Sequence, residues 1–236
     1  VVADVEMILL ASDVVARLAL GDVRFQVCHA GLLKALIDEL DLSAQDKEHL
    51  IESVLDGDWN GLEKAVARVA DRKRYLPPLL ALKGVSSGYL QNIRALSADA
   101  SVEFRRSLDQ FIEVASLLDE LECSYEIDIT AVRSFEYYTG ICFQLLSATG
   151  EKVGGGGRYD DLIPLMGGPN IPACGFALYI DQIMGLLDGR DGRLLGDDSR
   201  PYGDVRRDGT NRRLLPSAQG GSPAGFRRFL GSRPPV

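Results

Sequence analysis

The stretch Tyr137-Tyr-Thr-Gly-Ile-Cys-Phe-Gln-Leu-Leu-Ser147-Ala-Thr-Gly-Glu-Lys-Val153-Gly-Gly-Gly-Gly157-Arg158 decides the fold class. Tyr137–Ser147, rich in aromatic and β-branched residues, reads as a strand. Thr149–Gly150 reads as a turn and Lys152–Val153 as the returning strand, so the segment is a hairpin. Just upstream, Tyr125, Ile127 and Ile129 alternate with Glu126 and Asp128, the period-2 pattern of a half-buried strand. Downstream, a short helix from Asp160 to Met166, an apolar strand Ala173–Ala177 and a helix from about Leu178 to Leu187 complete the region.

Residues 5–121 follow a helical period almost throughout. Ile8, Ser12, Val15 and Ala19 space one face of an opening helix, and Val23–Cys28 alternates as a short strand. Leu32, Leu33, Leu36, Ile37 and Leu40 form an amphipathic stripe. Ser43 with Asp46 makes a capping-box pattern before Leu50, Ile51, Val54 and Leu55, and Asp58 caps a helix through Leu62, Val66 and Val69. Pro77–Pro78 breaks the series. Phe104, Leu108, Phe111, Ala115 and Leu118 then repeat at steps of four and three along a long helix. Helices first and an antiparallel sheet afterwards define an α+β protein and exclude a Rossmann alternation.

The chain has 236 residues, 46% apolar and 25% charged, values that exclude a fibre, a peptide or wholesale disorder. No apolar run reaches the ~18 residues of a membrane span. Asp4 and Glu6 interrupt Val1–Leu10, which no secretory leader would tolerate. A cytoplasmic protein without membrane partners is expected. Cys28, Cys123, Cys142 and Cys174 lie far apart, with only His29 and His49 to join them, so buried reduced thiols are expected and no metal site. The net charge of −8 hides a break near residue 189. Residues 1–188 hold 16 Lys and Arg against 29 Asp and Glu, whereas residues 189–236 hold ten Arg against five Asp. That basic end has no Lys, no Glu and no apolar period. It reads as a disordered tail, a basic arm, or the product of out-of-frame translation of a GC-rich gene.

Three constellations carry the chemistry. Arg133-Ser-Phe-Glu-Tyr137-Tyr138-Thr-Gly140 offers a guanidinium fork for a carboxylate or phosphate. Two adjacent tyrosines on a strand would point to opposite faces, leaving one hydroxyl for a pocket. Gly154–Gly157 followed by Arg158-Tyr159-Asp160 is costly in backbone entropy and serves close approach of a ligand or a neighbouring strand. No Walker pattern surrounds it. Pro172-Ala-Cys-Gly-Phe-Ala177 runs from a small-residue strand into a helix.

Together, Arg-x-x-x-Tyr-Tyr-Thr-Gly, Gly-Gly-Arg-Tyr-Asp-x-Leu and Pro-Ala-x-Gly-Phe-Ala resemble the histidyl-tRNA synthetase catalytic core and its paralogue, the regulatory subunit of ATP phosphoribosyltransferase. The resemblance is strong over Tyr125–Leu187, weaker over residues 1–122, where Asp4-Val-Glu6 and Val27-Cys-His29 carry it, and absent from the tail. It implies a class II aminoacyl-tRNA synthetase-like antiparallel sheet flanked by helices, with a helical insertion. The expected layout is 1–40 core, 41–99 insertion, 100–188 core and 189–236 tail. Motif 1 and the strands of motif 2 are missing, and the start at Val1 implies an N-terminally truncated core.

The resemblance also implies site roles. Arg133 falls where an arginine sits by the histidine carboxylate. Tyr137 and Tyr138 match the tyrosines lining the amino-acid pocket, and Gly155, Gly156, Arg158 and Tyr159 match the glycine-rich strand and turn beneath the ligand. Gln182 takes the place of the arginine that grips ATP. Gln182, with Tyr179 and Asp181, favours the regulatory subunit over the ligase. The expected protein is non-catalytic, binds histidine without a cofactor, and forms a homodimer within a hetero-oligomer with a short-form catalytic ATP phosphoribosyltransferase subunit. tRNA is not an expected partner. The alternative is a fragment or divergent form of a histidine–tRNA ligase.

Overall fold

The computed structural model describes residues 1–131 and 137–194. Val1–Leu187 form one compact unit. In chain order the first unit runs α1 (Val2–Arg17), β1 (Arg24–His29), α2 (Ala30–Asp38), α3 (Ala44–Leu55), α4 (Asn60–Val69), α5 (Leu76–Leu80), β2 (Lys83–Gly84), α6 (Ser87–Leu96) and α7 (Val102–Glu120). After β3 (Glu126–Asp128) and a 3₁₀ turn at Ile129–Ala131 come β4 (Ile141–Leu146), β5 (Lys152–Arg158), α8 (Leu162–Leu165) and β6 (Cys174–Leu178). Helix α9 spans Ile180–Leu194.

The strands form one sheet in the order β2-β3-β1-β4-β5-β6. Every neighbouring pair is antiparallel except β1 and β3, which run parallel. A parallel pair requires a long crossover, and residues 30–125, carrying α2 to α7, supply it. The antiparallel sheet read from the sequence is therefore mixed at this one pair. Helices are packed on one face. Leu32, Leu33, Leu36 and Ile37 of α2, and Phe104, Leu108, Phe111 and Leu118 of α7, are fully buried there. Val27, Ile127, Phe143 and Leu145 meet them from the sheet.

Local signals account for most element ends. Ser43 Oγ accepts the Asp46 N–H at 3.2 Å and donates to its carboxylate at 2.7 Å, so the capping pattern starts α3. Asp58 Oδ1 accepts the Asn60 N–H at 3.0 Å, in the first turn of α4. Pro77–Pro78 does not interrupt the helical series. Both prolines sit in the first turn of α5, where a missing N–H costs nothing. Helix α1 stops at Arg17, and Ala19, assigned to its face from the sequence, lies beyond it at φ 50°. His29 caps α2, its Nδ1 accepting the Leu32 N–H at 3.1 Å. Burial lowers the His29 pKa to about 4, against opposing effects of Asp4 and Gln110, so the ring is neutral.

One buried carboxylate ties the helices together. Glu39, just after α2, receives Lys73 Nζ, the Tyr75 hydroxyl at 2.8 Å and the Ser101 N–H at 2.7 Å. Burial raises its pKa, but these donors outweigh that effect and bring it from 4.5 down to about 2. A depressed carboxylate contributes stability that is present above its unfolded value and lost as pH falls through the folded one. Glu39→Gln should therefore cost most stability above pH 4.5, and the gap from the parent should close as pH falls toward about 2. Urea unfolding across that range measures it. A gap independent of pH would contradict the assignment.

Candidate functional site

The face of the sheet away from α1 and α7 is built in rows, because alternate residues of a strand share a face. One row runs Glu126, Gln26, Gln144, Gly155, Ala177 across five strands. The next runs Cys28, Cys142, Gly157, Gly175. Both rows pass from functional side chains to bare backbone at β5. A cavity of about 80 Å³ opens over them, walled by Tyr137, Tyr138, Gln144, Lys152 and Tyr179, with Cys28, Cys142 and Gly155 also lining it. Wider hollows exist among the described residues. One of about 390 Å³ lies between α3 and α4 around His49, Lys64 and Arg68. Another, of about 230 Å³, lies on the helix side around Asp4, His29 and Arg158. The small cavity joins the tyrosine pair to the glycine strand.

Two tyrosines of one strand would diverge, but Tyr137 and Tyr138 precede β4 and are not part of it. Freed from the pleat, both turn to the same cavity. The Tyr137 hydroxyl donates to that of Tyr138 at 2.9 Å, and the ring centroids are 4.3 Å apart. Burial and the Tyr137 hydroxyl raise the Tyr138 pKa. Tyr159 extends the aromatic wall, its ring 6.0 Å from that of Tyr137.

The glycine run divides between faces. A Cβ at Gly155 would lie 2.8 Å from the Phe143 carbonyl, and one at Gly157 would lie 2.8 Å from the Tyr138 ring. Gly157, part of the glycine run but not among the residues expected beneath the ligand, shares the open face with Gly155. Gly156 faces the helices, where an added Cβ would come within 2.4 Å of Phe176. Close approach of neighbouring strands, more than a ligand, forbids a side chain there.

Arg158 also faces the helix side. Its Nε donates to Asp4 at 2.8 Å and its Nη1 to Asp160 at 3.0 Å. The Thr139 N–H donates to the Arg158 carbonyl at 2.8 Å, and the Asp160 N–H to Thr139 Oγ1 at 3.1 Å. These bonds lock the Tyr-Tyr-Thr-Gly and Arg-Tyr-Asp motifs to each other and to α1. Gln182 lies half-buried in the first turns of α9, outside the cavity lining. Arg133 lies outside the described residues.

Gln144, Lys152 and the Cys28–Cys142 pair escaped the sequence reading. The signal was there for Cys142 and Gln144, which alternate in an otherwise apolar strand. The partner of Cys142, 114 positions away, was not readable. All four cysteines are free; Cys28 and Cys142 are buried, Cys123 and Cys174 half-buried. The Cys28 and Cys142 sulfurs are 3.0 Å apart. Burial, then the adjacent thiol, raises the Cys28 pKa. Among the described residues no cluster of His, Cys, Asp and Glu could hold a metal, and no helix is long and apolar enough to cross a membrane.

Helices packed on one face of such a sheet, with a bare glycine strand on the other, define a class II aminoacyl-tRNA synthetase-like core. The chain superposes with a TM-score of 0.68 on an ATP phosphoribosyltransferase regulatory subunit/histidyl-tRNA synthetase from Bacillus halodurans, at 23% identity, covering 78% of this chain and 49% of that one. The histidyl-tRNA synthetase family model matches residues 1–183, and the chain belongs to that family. It is 40% identical over 189 residues to a Dehalococcoides mccartyi protein named ATP phosphoribosyltransferase regulatory subunit, covering 80% of this chain and 46% of the relative. It is 29% identical over 194 residues to the Methanocaldococcus jannaschii histidine–tRNA ligase, covering 80% and 45%. The chain spans about half the length of the curated relatives it matches.

Thiolates, not thiols, are alkylated, so burial should protect the pair on the cavity floor. At about pH 8, near the pKa of an ordinary thiol, iodoacetamide should spare Cys28 and Cys142 in the folded protein and modify all four cysteines in urea. Peptide mass spectrometry reads the sites. Faster labelling of Cys142 than of Cys174 would contradict the geometry.

Proposed function

We propose that the protein is a non-catalytic regulatory subunit of ATP phosphoribosyltransferase and that the open face of its sheet binds histidine. The observation that carries this reading is the 40% identity with relatives of that name, against 29% with a histidine–tRNA ligase. Gln182 supports it, because an amide at the expected ATP-gripping position supplies no charge to the phosphates. The cavity chemistry supports the ligand. Paired phenol hydroxyls and the Gln144 amide suit imidazole and ammonium nitrogens, and glycine backbone lets a flat ring lie close. Arg133 is the proposed partner for the carboxylate.

In this role histidine is an allosteric ligand of a cytoplasmic hetero-oligomer containing a homodimer of this subunit and a short-form catalytic subunit. The coupling is reciprocal: histidine alters the catalytic partner only through a state it binds preferentially, and the partner alters histidine affinity by the same factor. The Arg158–Asp4–Asp160 cluster holds the β5–α1 junction and makes no ligand contact in this reading.

Thermal unfolding tests the ligand. Histidine at about 100 times its Kd should stabilise the protein by about 2.7 kcal/mol, and Arg133→Ala should abolish the effect. An undiminished rise in Tm with Arg133→Ala would overturn the site. Co-purification with a short phosphoribosyltransferase subunit, with its turnover restored, tests the partner; no association at micromolar concentrations would overturn it. Family membership favours the second reading, a piece or divergent form of a histidine–tRNA ligase. Histidine-dependent ATP–pyrophosphate exchange separates the two, and none is expected.

A further inference from the structure

Behind Gln144 the open face carries a hydrogen-bonded chain of side chains that spans three strands. It follows one register row from Glu126 on β3 through Gln26 on β1 to Gln144 on β4, and ends where Gly155 leaves the sheet bare. Gln26 Nε2 donates to Glu126 Oε2 at 3.4 Å, and Gln144 Nε2 donates to Gln26 Oε1 at 3.0 Å. The second carboxylate oxygen of Glu126 lies 3.8 Å from Arg24 Nη1.

The direction of this chain follows from chemistry. A carboxylate only accepts, so Gln26 must turn its amide N–H toward Glu126 and its carbonyl away. That carbonyl is an acceptor, so Gln144 must meet it with Nε2. The Gln144 carbonyl is then held at the opposite end of the amide from Nε2, and Gln144 lines the cavity. Among the described residues Oε1 of Gln144 accepts no hydrogen bond. An amide that could otherwise flip presents a fixed polarity, set two residues away by a charge that touches no ligand.

We propose that Glu126, acting through Gln26, fixes Gln144 as a hydrogen-bond acceptor at the cavity, so that the site selects its ligand through an N–H donor. The identity of that ligand as histidine rests on the reading above. The selection is physical: a site built to accept an N–H leaves its acceptor unpaired when the ligand lacks one, and that costs more than a missing contact. Gln144 is the specificity-determining residue. Glu126 and Gln26 are positioning residues, and Arg24 on β1 lies within ion-pair distance of Glu126 at the far end.

Isothermal titration of the full chain with L-histidine, for Gln144→Leu, Glu126→Gln and the double variant, tests this. Gln144→Leu should weaken binding about tenfold, the loss of one hydrogen bond to a donor left unmatched. Glu126→Gln should weaken it about threefold, because an all-amide chain can reverse and show the ligand a donor. In the Gln144→Leu background Glu126→Gln should have no further effect, a non-additivity that a merely structural role would not produce. Binding by Gln144→Leu within about twofold of the parent, or additive effects, would overturn the proposal. Failure of the parent to bind histidine would overturn the histidine reading. The relay is then judged by the side-chain amide NMR signals of Gln144, which should shift in Glu126→Gln; unchanged signals would overturn it.

Discussion

The structure depends on how closely β5 is held between its neighbours. Cβ atoms placed at Gly154, Gly155, Gly156 or Gly157 would come within 2.4–2.8 Å of a carbonyl oxygen of β4 or β6. None of the four has a positive φ, so the glycines are required by proximity and not by backbone conformation. The consequence differs on the two faces. On the helix side Phe176 covers the strand and completes the core. On the open side the missing side chains make the cavity, with Tyr138 over Gly157 and Gln144 beside Gly155.

That constraint explains why the motifs divide as they do. A string such as Gly-Gly-Arg-Tyr-Asp looks like one functional unit, but successive residues of a strand face opposite ways. Gly155 and Gly157 serve the open face. Arg158 serves the other, where Asp4 and Asp160 neutralise it and Thr139 fixes the turn. Much of the motif thus serves folding: it registers the tyrosine turn against β5 and α1 so that the aromatic wall stands where the glycines leave room.

The fold was legible wherever a period was long or a cap was explicit. The stripes of α2 and α7, the Ser43–Asp46 cap and the β4–β5 hairpin needed only neighbours in sequence. The short strand β2 is hidden inside a helical background, and Pro77–Pro78 reads as a break because a proline in a helix interior disrupts it, while nothing local shows that a helix begins there. The site was legible less evenly. Tyr137, Tyr138 and Gly155, expected from the family resemblance, line one cavity, but the position of the tyrosines on a turn, which brings both hydroxyls to one side, has no local signal. The Gln144–Gln26–Glu126 row and the Cys28–Cys142 pair depend on cross-strand register over about a hundred residues of intervening chain, and no local pattern encodes that.

In the proposed function the ligand lies on the open face of the sheet, over β4 and β5. Backbone amide shifts of the full chain, followed while L-histidine is added, test it most directly. The largest changes are expected at Tyr137, Tyr138, Gln144, Gly155 and Gly157, with α3 and α4 unmoved. Changes centred instead on the α3–α4 groove around His49, Lys64 and Arg68, or on the Asp4–Arg158 side of the sheet, would contradict it.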